Sequence, residues 1–317
     1  MTFTRKTLPY FMASMMIVLG TSISVAAKRP APSTRSVAPT ELEMQVLLDR
    51  ADFSPGEIDG QGGKNSREAL AAFQASRGFA SGARSRKALL LALGAGAVKP
   101  IVLYTITAAD VAGPFNKTIP EDATEQAKLP GLYYTSVLQE LSARFHSAPD
   151  LLKRLNPGAR FTAGQHIRVP NVLGTVPARA GAVKVVVSKR AASLSVYDQK
   201  GQVIFYAPVT SGSDHDPLPI GHWEITEVRR NPIYNYNPDL FWDANPANAL
   251  VQIAAGPNNP VGVVWMGINV PHYGLHGTPD PGEIGHSKSH GCVRMTNWDA
   301  SSVAGLVADG TSVVFEQ

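Results

Sequence analysis

The chain has 317 residues, 44% of them hydrophobic, with 24 Pro and 28 Gly, which gives room for two or three turn-rich globular domains. Its formal net charge of +4 is too small for a nucleic-acid-binding surface, although an anionic polymer partner stays compatible with it. A lone cysteine, Cys292, excludes an intramolecular disulfide framework; its thiol is buried and idle, paired between chains, or chemically employed.

Residues 1–27 read as a secretory signal. Arg5-Lys6 form a charged start, Leu8 to Gly20 is uncharged and apolar, and Ser24-Val25-Ala26 or Val25-Ala26-Ala27 supplies small residues for cleavage. The apolar run is shorter than the ~20 residues of a membrane span, and no cysteine follows it to carry a lipid. The expectation is a periplasmic or secreted protein with no stable membrane anchor after cleavage. Residues 28–40, rich in Pro, Ser, Thr and Ala, read as a linker.

Residues 41–96 predict three short helices around one small core, over Glu41 to Leu48, from Ser66 to about Gly78, and over Ala83 to Leu93. Ala69, Leu70 and Phe73 share a face of the second, and Asp59 caps a turn. The run Pro55-Gly56-Glu57-Ile58-Asp59-Gly60, Gly63, Ser66, Ala69-Leu70 and Phe73-Gln74 resembles the small peptidoglycan-binding domain found beside wall hydrolases and transpeptidases. Residues 101–172 predict a strand at Ile101 to Ile106 and a polar insertion from Asp110 to Gly131. Helices at Ser136 to Phe145 and Pro149 to Leu155 follow, then a strand at Gln165 to Pro170. With Leu155-Asn156-Pro157 and Ala163-Gly164-Gln165 this βααβ order resembles a LysM module, which implies binding of N-acetylglucosamine glycans. The first loop is longer than that family's, so a structural spacer stays open beside a glycan site.

Residues 173–182 form a second linker, and residues 183–317 predict strand after strand with one helix at Asn297 to Ala308 and a last strand at Thr311 to Phe315. Pro219-x-Gly221-x-Trp223 and Gly256-Pro257-Asn258-Asn259-Pro260-x-Gly262 read as turns that shape this sheet.

The chemistry concentrates in Ser289-His290-Gly291-Cys292-Val293-Arg294, with His276-Gly277-Thr278 upstream. Gly291 permits close backbone approach, and His290 and Arg294 place ionisable groups beside the thiol, company that favours a nucleophile over an inert cysteine. Lowering a thiol pKa raises the thiolate fraction but weakens its nucleophilicity, whereas an oxyanion hole is worth about 10²–10³. Positioning and oxyanion donors therefore outweigh thiol acidity. A zinc site from His286, His290 and Cys292 lacks ligand spacing on a regular element, so no metal is expected. The aromatic run Ile233 to Trp242 either packs a core or lines a substrate groove, and the Asn and Pro that interrupt any strand in it favour an exposed loop.

As a joint pattern these residues resemble the signature of L,D-transpeptidases, the YkuD-type enzymes of bacterial cell-wall assembly. The resemblance implies a mostly-β sandwich-type catalytic domain with one helix after the cysteine, and no cofactor. It implies Cys292 as the acylated nucleophile, His276 as its base, and the Gly277 carbonyl as the group that orients the ring. Ser289, His290, Gly291 and Arg294 fall on the substrate side. Arg294 either grips a stem-peptide carboxylate or makes a structural ion pair, and His290 either orients its loop or touches substrate. The implied partners are peptidoglycan stem peptides and glycan strands. The implied reaction is transfer of a tetrapeptide stem to an amine, giving a 3→3 cross-link. Water as acceptor (an L,D-carboxypeptidase) and a non-catalytic wall-binding protein are the alternatives.

Overall fold

A computed structural model describes residues 2, 39–79, 86–172, 181–245 and 248–317. The signal sequence apart from residue 2, nearly all of both linkers, and the first residues of the third expected helix lie outside them.

Helix α1 (Pro39–Arg50) is followed by a turn and by α2 (Lys64–Ser76) and α3 (Arg86–Ala92). The α2 helix stops because Gly78, at φ +66°, turns the chain. Phe79 N–H then donates to the Gln74 carbonyl and Gly78 N–H to that of Ala75, which satisfies the terminal carbonyls. Asp59 caps its own turn, accepting from Gln61 N–H at 2.8 Å. Next come β1 (Ile101–Thr105), α4 (Ala108–Ala112), α5 (Ala123–Gln126), α6 (Val137–Arg144), α7 (Pro149–Leu155) and β2 (His166–Pro170). Strands β1 and β2 pair antiparallel. Ser136 caps α6 by accepting from Gln139 N–H, and Pro149 opens α7. The polar insertion is not wholly irregular: Thr107 and Asp110 close a capping box that starts α4, and Asp122 caps α5.

The remaining strands are β3 (Lys184–Ser188), β4 (Ser193–Tyr197), β5 (Val203–Pro208), β6 (Thr210–Ser211), β7 (Gly221–Arg230), β8 (Tyr234–Tyr236) and β9 (Val251–Ile253). They continue with β10 (Val264–Ile268), β11 (Gly274–His276), β12 (Val293–Arg294) and β13 (Ser312–Glu316), and α8 (Asn297–Leu306) lies between the last two. Nine strands join in the order β5-β4-β3-β13-β7-β10-β11-β12-β6. The two end strands, β5 and β6, are separated in the chain only by Val209, so the sheet folds back on itself as a barrel-like sandwich. The long β7 makes this possible: Gly221 to Glu224 pair with β13, and the rest pairs with β10. The core between the layers is aliphatic, with Val185, Val187, Leu194, Val196, Met266 and Val313 fully buried, and α8 covers one side through Ala300 and Val303.

From Val37 onward the chain is one compact unit, and the three helices do not keep a core to themselves. Met44, Leu47 and Leu48 of α1 pack with Phe53, Phe73 and Leu89, and Tyr206 of β5 closes that cluster. The Leu42–Val46 side of α1 belongs instead to the core of α6, α7 and β2. Ser54 N–H donates to the Tyr206 carbonyl and Tyr206 N–H to that of Asp52, so this short stretch covers the free edge of β5. On its other flank, Ile58 N–H donates to the His146 carbonyl and Ala148 N–H returns the bond to Ile58. The helical segment is thereby a wedge fixed to both of its neighbours.

Candidate active site

Strands β11 and β12 run parallel in register, with Leu275 opposite Val293 and His276 opposite Arg294. Leu275 and Val293, and Met266 opposite Leu275 on β10, all point into the aliphatic core. Side chains alternate along a strand. The same parity therefore turns His276, Arg294 and, two residues before it, Cys292 to the other face. Trp265, opposite His276, joins them there. Core burial of Leu275 and Val293 is thus what turns His276 and Cys292 to the same face.

His276 is buried, and its Nδ1 lies 2.7 Å from the Gly277 carbonyl oxygen. A carbonyl only accepts, so Nδ1 carries the proton and Nε2 is left as an acceptor. The Trp265 ring stacks on the imidazole, with centroids 5.6 Å apart. Burial, aided by the Arg294 charge, pushes the imidazole pKa down to about 3, against the Gly277 hydrogen bond. Burial likewise pushes the Cys292 thiol up to about 11, while the Gly274 amide and Arg294 pull it the other way. The half-buried thiol donates to the His272 carbonyl at 3.5 Å. Both shifts favour the uncharged forms, a protonated thiol and a neutral imidazole.

Gly277 is glycine because a Cβ there would collide with Asn297 Oδ1 on the first turn of α8. That oxygen accepts from Val263 N–H at 3.1 Å, and Asn297 Nδ2 donates to the Pro257 carbonyl at 2.9 Å. The carbonyl that orients His276 is therefore held by α8 and by the Gly256–Gly262 turn. Gly291 has φ +97°, and a Cβ on it would lie 2.5 Å from the Tyr273 ring. Gly291→Ala is expected to displace the Cys292 loop and lower turnover by at least tenfold; steady-state kinetics beside a thermal melt separates this from simple unfolding.

Ser289 does not face a substrate. It is 3% exposed, its hydroxyl donates to the Cys292 carbonyl at 2.6 Å, and it accepts from Gly212 N–H at 2.7 Å. It braces the cysteine loop against the end of β6. Ser289→Ala leaves two backbone groups without their partner and is expected to destabilise the protein by about 1–3 kcal/mol, read from denaturant midpoints. His290 Nε2 contacts Asp243 Oδ1 at 2.9 Å and sits edge-on to Phe241 at 5.1 Å, so it ties the aromatic loop to the cysteine loop. Arg294 acts on both His276 and Cys292 through its charge.

Sequence reasoning assigned no role to Trp265, Tyr273 or the His272 backbone. Tyr234, whose phenol pKa is raised by burial and by the nearby Cys292, belongs to the β8–β9 hairpin, and Tyr236 stacks on Phe241 at 5.7 Å. Trp242 at the loop's tip is 62% exposed. Trp265 was accessible in principle, since the β10–β11 hairpin pairs it with His276. His272 carries φ +67°, which no local pattern announces.

The family model for the YkuD-type L,D-transpeptidase catalytic domain matches residues 182–315. A putative L,D-transpeptidase YkuD of Bacillus licheniformis is 30% identical over 181 residues, 56% of this chain and 91% of the relative. Its Bacillus subtilis counterpart is 28% identical over 184 residues, 57% and 93% respectively. A solved L,D-transpeptidase from Mycobacterium smegmatis overlays with a TM-score of 0.36 at 16% identity, over 48% of this chain and 66% of its own.

Proposed function

This chain belongs to the YkuD family of L,D-transpeptidases, and we propose that it acts on peptidoglycan as a cysteine acyltransferase with Cys292 as nucleophile and His276 as base. The observation that carries the residue roles is the Nδ1–Gly277 hydrogen bond of 2.7 Å, which leaves Nε2 free to take a proton on the face that Cys292 shares.

With both groups neutral at rest, attack and proton transfer go together. The Cys292 sulfur bonds to the carbonyl carbon of the amide between the third and fourth residues of a tetrapeptide stem, and its proton passes to His276 Nε2. The C–N bond then breaks and Nε2 returns the proton to the departing D-alanine amine. An amine of a second stem attacks the thioester and gives its proton to Nε2, the C–S bond breaks, and Nε2 delivers that proton to the leaving sulfur; the product is a 3→3 cross-link. Gly291, with no side chain and a left-handed backbone, allows neighbouring N–H groups to turn toward the developing oxyanion. Arg294, facing the same side as His276, suits a stem carboxylate held by its two-pronged guanidinium.

The 101–172 segment, in which α6 and α7 lie between β1 and β2 with α4 and α5 inserted ahead of them, serves as a LysM-like glycan-binding unit and the 41–96 helices as a peptidoglycan-binding unit, in a protein exported to the periplasm or beyond. Support for this is the secondary-structure order and the motifs at Asn156-Pro157 and Pro55 to Gly60. The test is mass spectrometry of muropeptides incubated with wild-type or Cys292→Ala protein. Cross-linked or exchanged stems are expected with the wild type alone. Tripeptide without any dimer would reassign the acceptor to water, and equal products from both proteins would remove Cys292 from the reaction.

A further inference from the structure

The backbone from Gly277 to Gly291 joins the base on β11 to the nucleophile just before β12. Its one regular piece is a single 3₁₀ turn at Pro281–Glu283, so its course depends on anchors outside it. Gly277 rests against Asn297, and Ser289 is tied to Gly212. The middle is held from two sides. On one side stands Thr210 of β6, 2% exposed, whose hydroxyl accepts from Gly285 N–H at 3.0 Å and donates to the Glu283 carbonyl at 3.3 Å. On the other stands Asn65, the second residue of α2, whose Nδ2 donates to the Ile284 carbonyl at 2.9 Å.

Gly285 has φ +82°, and a Cβ there would lie 2.6 Å from Asn65 Oδ1, so the amide rests directly on that backbone. Gly56 borders the same amide: a Cβ on it would lie 3.6 Å from Asn65 Nδ2. Glu57 reaches the loop as well, its Oε2 standing 3.3 Å from where a Cβ on Gly282 would be. Asparagine favours caps and turns over helical positions, because its amide competes for backbone groups. Asn65 does not cap α2, since Gly63 holds that place. A tertiary contact accounts for it instead. That contact spans 219 residues of sequence and comes from outside residues 182–315, the span of the catalytic-domain match. Displacing a reacting group by about 1 Å can cost 10²-fold in rate, so an anchor on this loop bears on the chemistry at both of its ends.

Resting on the acyl-transfer reading above, we infer that Asn65 is a positioning residue for the Cys292–His276 centre: a side chain of the helical segment that fixes the loop between base and nucleophile. The 41–96 segment thereby completes the catalytic domain, in addition to any role at the wall. Steady-state turnover of a sugar-free tetrapeptide by the full chain keeps wall binding out of the measurement. Asn65→Ala is expected to lower kcat by roughly tenfold or more while KM changes by less than about threefold, because the reacting geometry is lost and the substrate contacts stay. Asn65→Asp, read at about pH 8, keeps the shape but cannot donate once ionised, and should lose as much. A looser loop also uncovers the thiol, so iodoacetamide should alkylate Cys292 of Asn65→Ala about threefold faster or more at about pH 7. Melting temperatures near that of the wild type establish that the variants are folded, and one folded variant suffices. Unchanged kcat in a folded variant overturns the inference, as does a loss confined to KM. If the wild type turns over the peptide and the variants match it, only the role of Asn65 falls. If the wild type itself does not turn it over, the acyltransferase reading falls, and the alkylation rates alone decide whether Asn65 holds the loop; equal rates would remove that as well.

Discussion

Alkylation of Cys292 by iodoacetamide in the free protein is expected to be slow at pH 7 and to climb about tenfold per pH unit toward pH 11. Burial sets this behaviour by pushing the thiol up to about 11 from an ordinary value of 9.0, which lowers the thiolate fraction near neutrality by roughly 100-fold. No inflection is expected near pH 6–7, because burial also holds the His276 imidazole down near 3, and a neutral ring does not stabilise a thiolate. Arg294→Gln removes a positive charge that lowers both values, so it should slow alkylation further and shift the imidazole upward. His276→Ala should leave alkylation at pH 7 nearly unchanged, yet reduce acylation by a tetrapeptide by about 10²–10⁴, the usual contribution of a general base. A rate plateau at pH 7, with an apparent pKa near 6–7 that vanishes in His276→Ala, would instead reveal a preformed thiolate–imidazolium pair. The chemistry assigned here requires proton transfer to accompany attack, and that result would exclude it.

The parts of the fold visible in the sequence are those with runs long enough to show a period. Val185, Val187, Leu194 and Val196 alternate inward over five-residue strands, and α8 begins at a threonine cap. Strands β11 and β12 are three and two residues long, set among glycine and histidine, and no window over them carries a period. A motif singles out Cys292 and His276 without reference to strands, whereas their common face of the sheet follows only from the register of these two short strands. Ser289 was placed on the substrate side because a motif reveals a residue's position and not the direction of its hydroxyl, which turns inward to Gly212 and Cys292. The wedge of α1 between two cores was hidden for a different reason. Its helical spacing accounts for one buried face, and the second face is explained only by partners as distant as Tyr206 and Leu151. Likewise Gly262, Gly277 and Asn297 converge from three separate segments, a close approach that only tertiary structure displays.

That hidden seam should make the protein more stable in mild acid than at neutral pH. Asp299, at the third position of α8, is buried against Ser54, Thr296, Asp49 and His146. Thr296 donates to its carboxyl at 2.7 Å, His146 pairs with Asp49 at 3.0 Å, and the His146 ring stacks on Trp298 at 5.0 Å. Burial raises the Asp299 pKa to about 7, and Asp49 adds to that; the hydrogen bonds and His146 oppose it. The unfolded chain titrates near 3.9, so between about pH 4 and 7 the folded state holds the extra proton. Stability from this group is therefore complete below about pH 4 and is lost as pH rises through about 7. His146, raised by Asp49 and by its hydrogen bond to Asp49 against the effect of burial, runs in the same direction, as does Asp52, raised to about 6 by burial and by Asp49. Asp299→Asn keeps an oxygen for Thr296 and cannot ionise. It is expected to flatten the dependence by up to about 1.4 kcal/mol per pH unit between pH 5 and 7, and to melt higher than wild type at pH 8. Thermal unfolding of both proteins from pH 5 to 8 reads this directly; parallel curves would mean that Asp299 is ionised in the folded seam throughout and that His146 balances its charge.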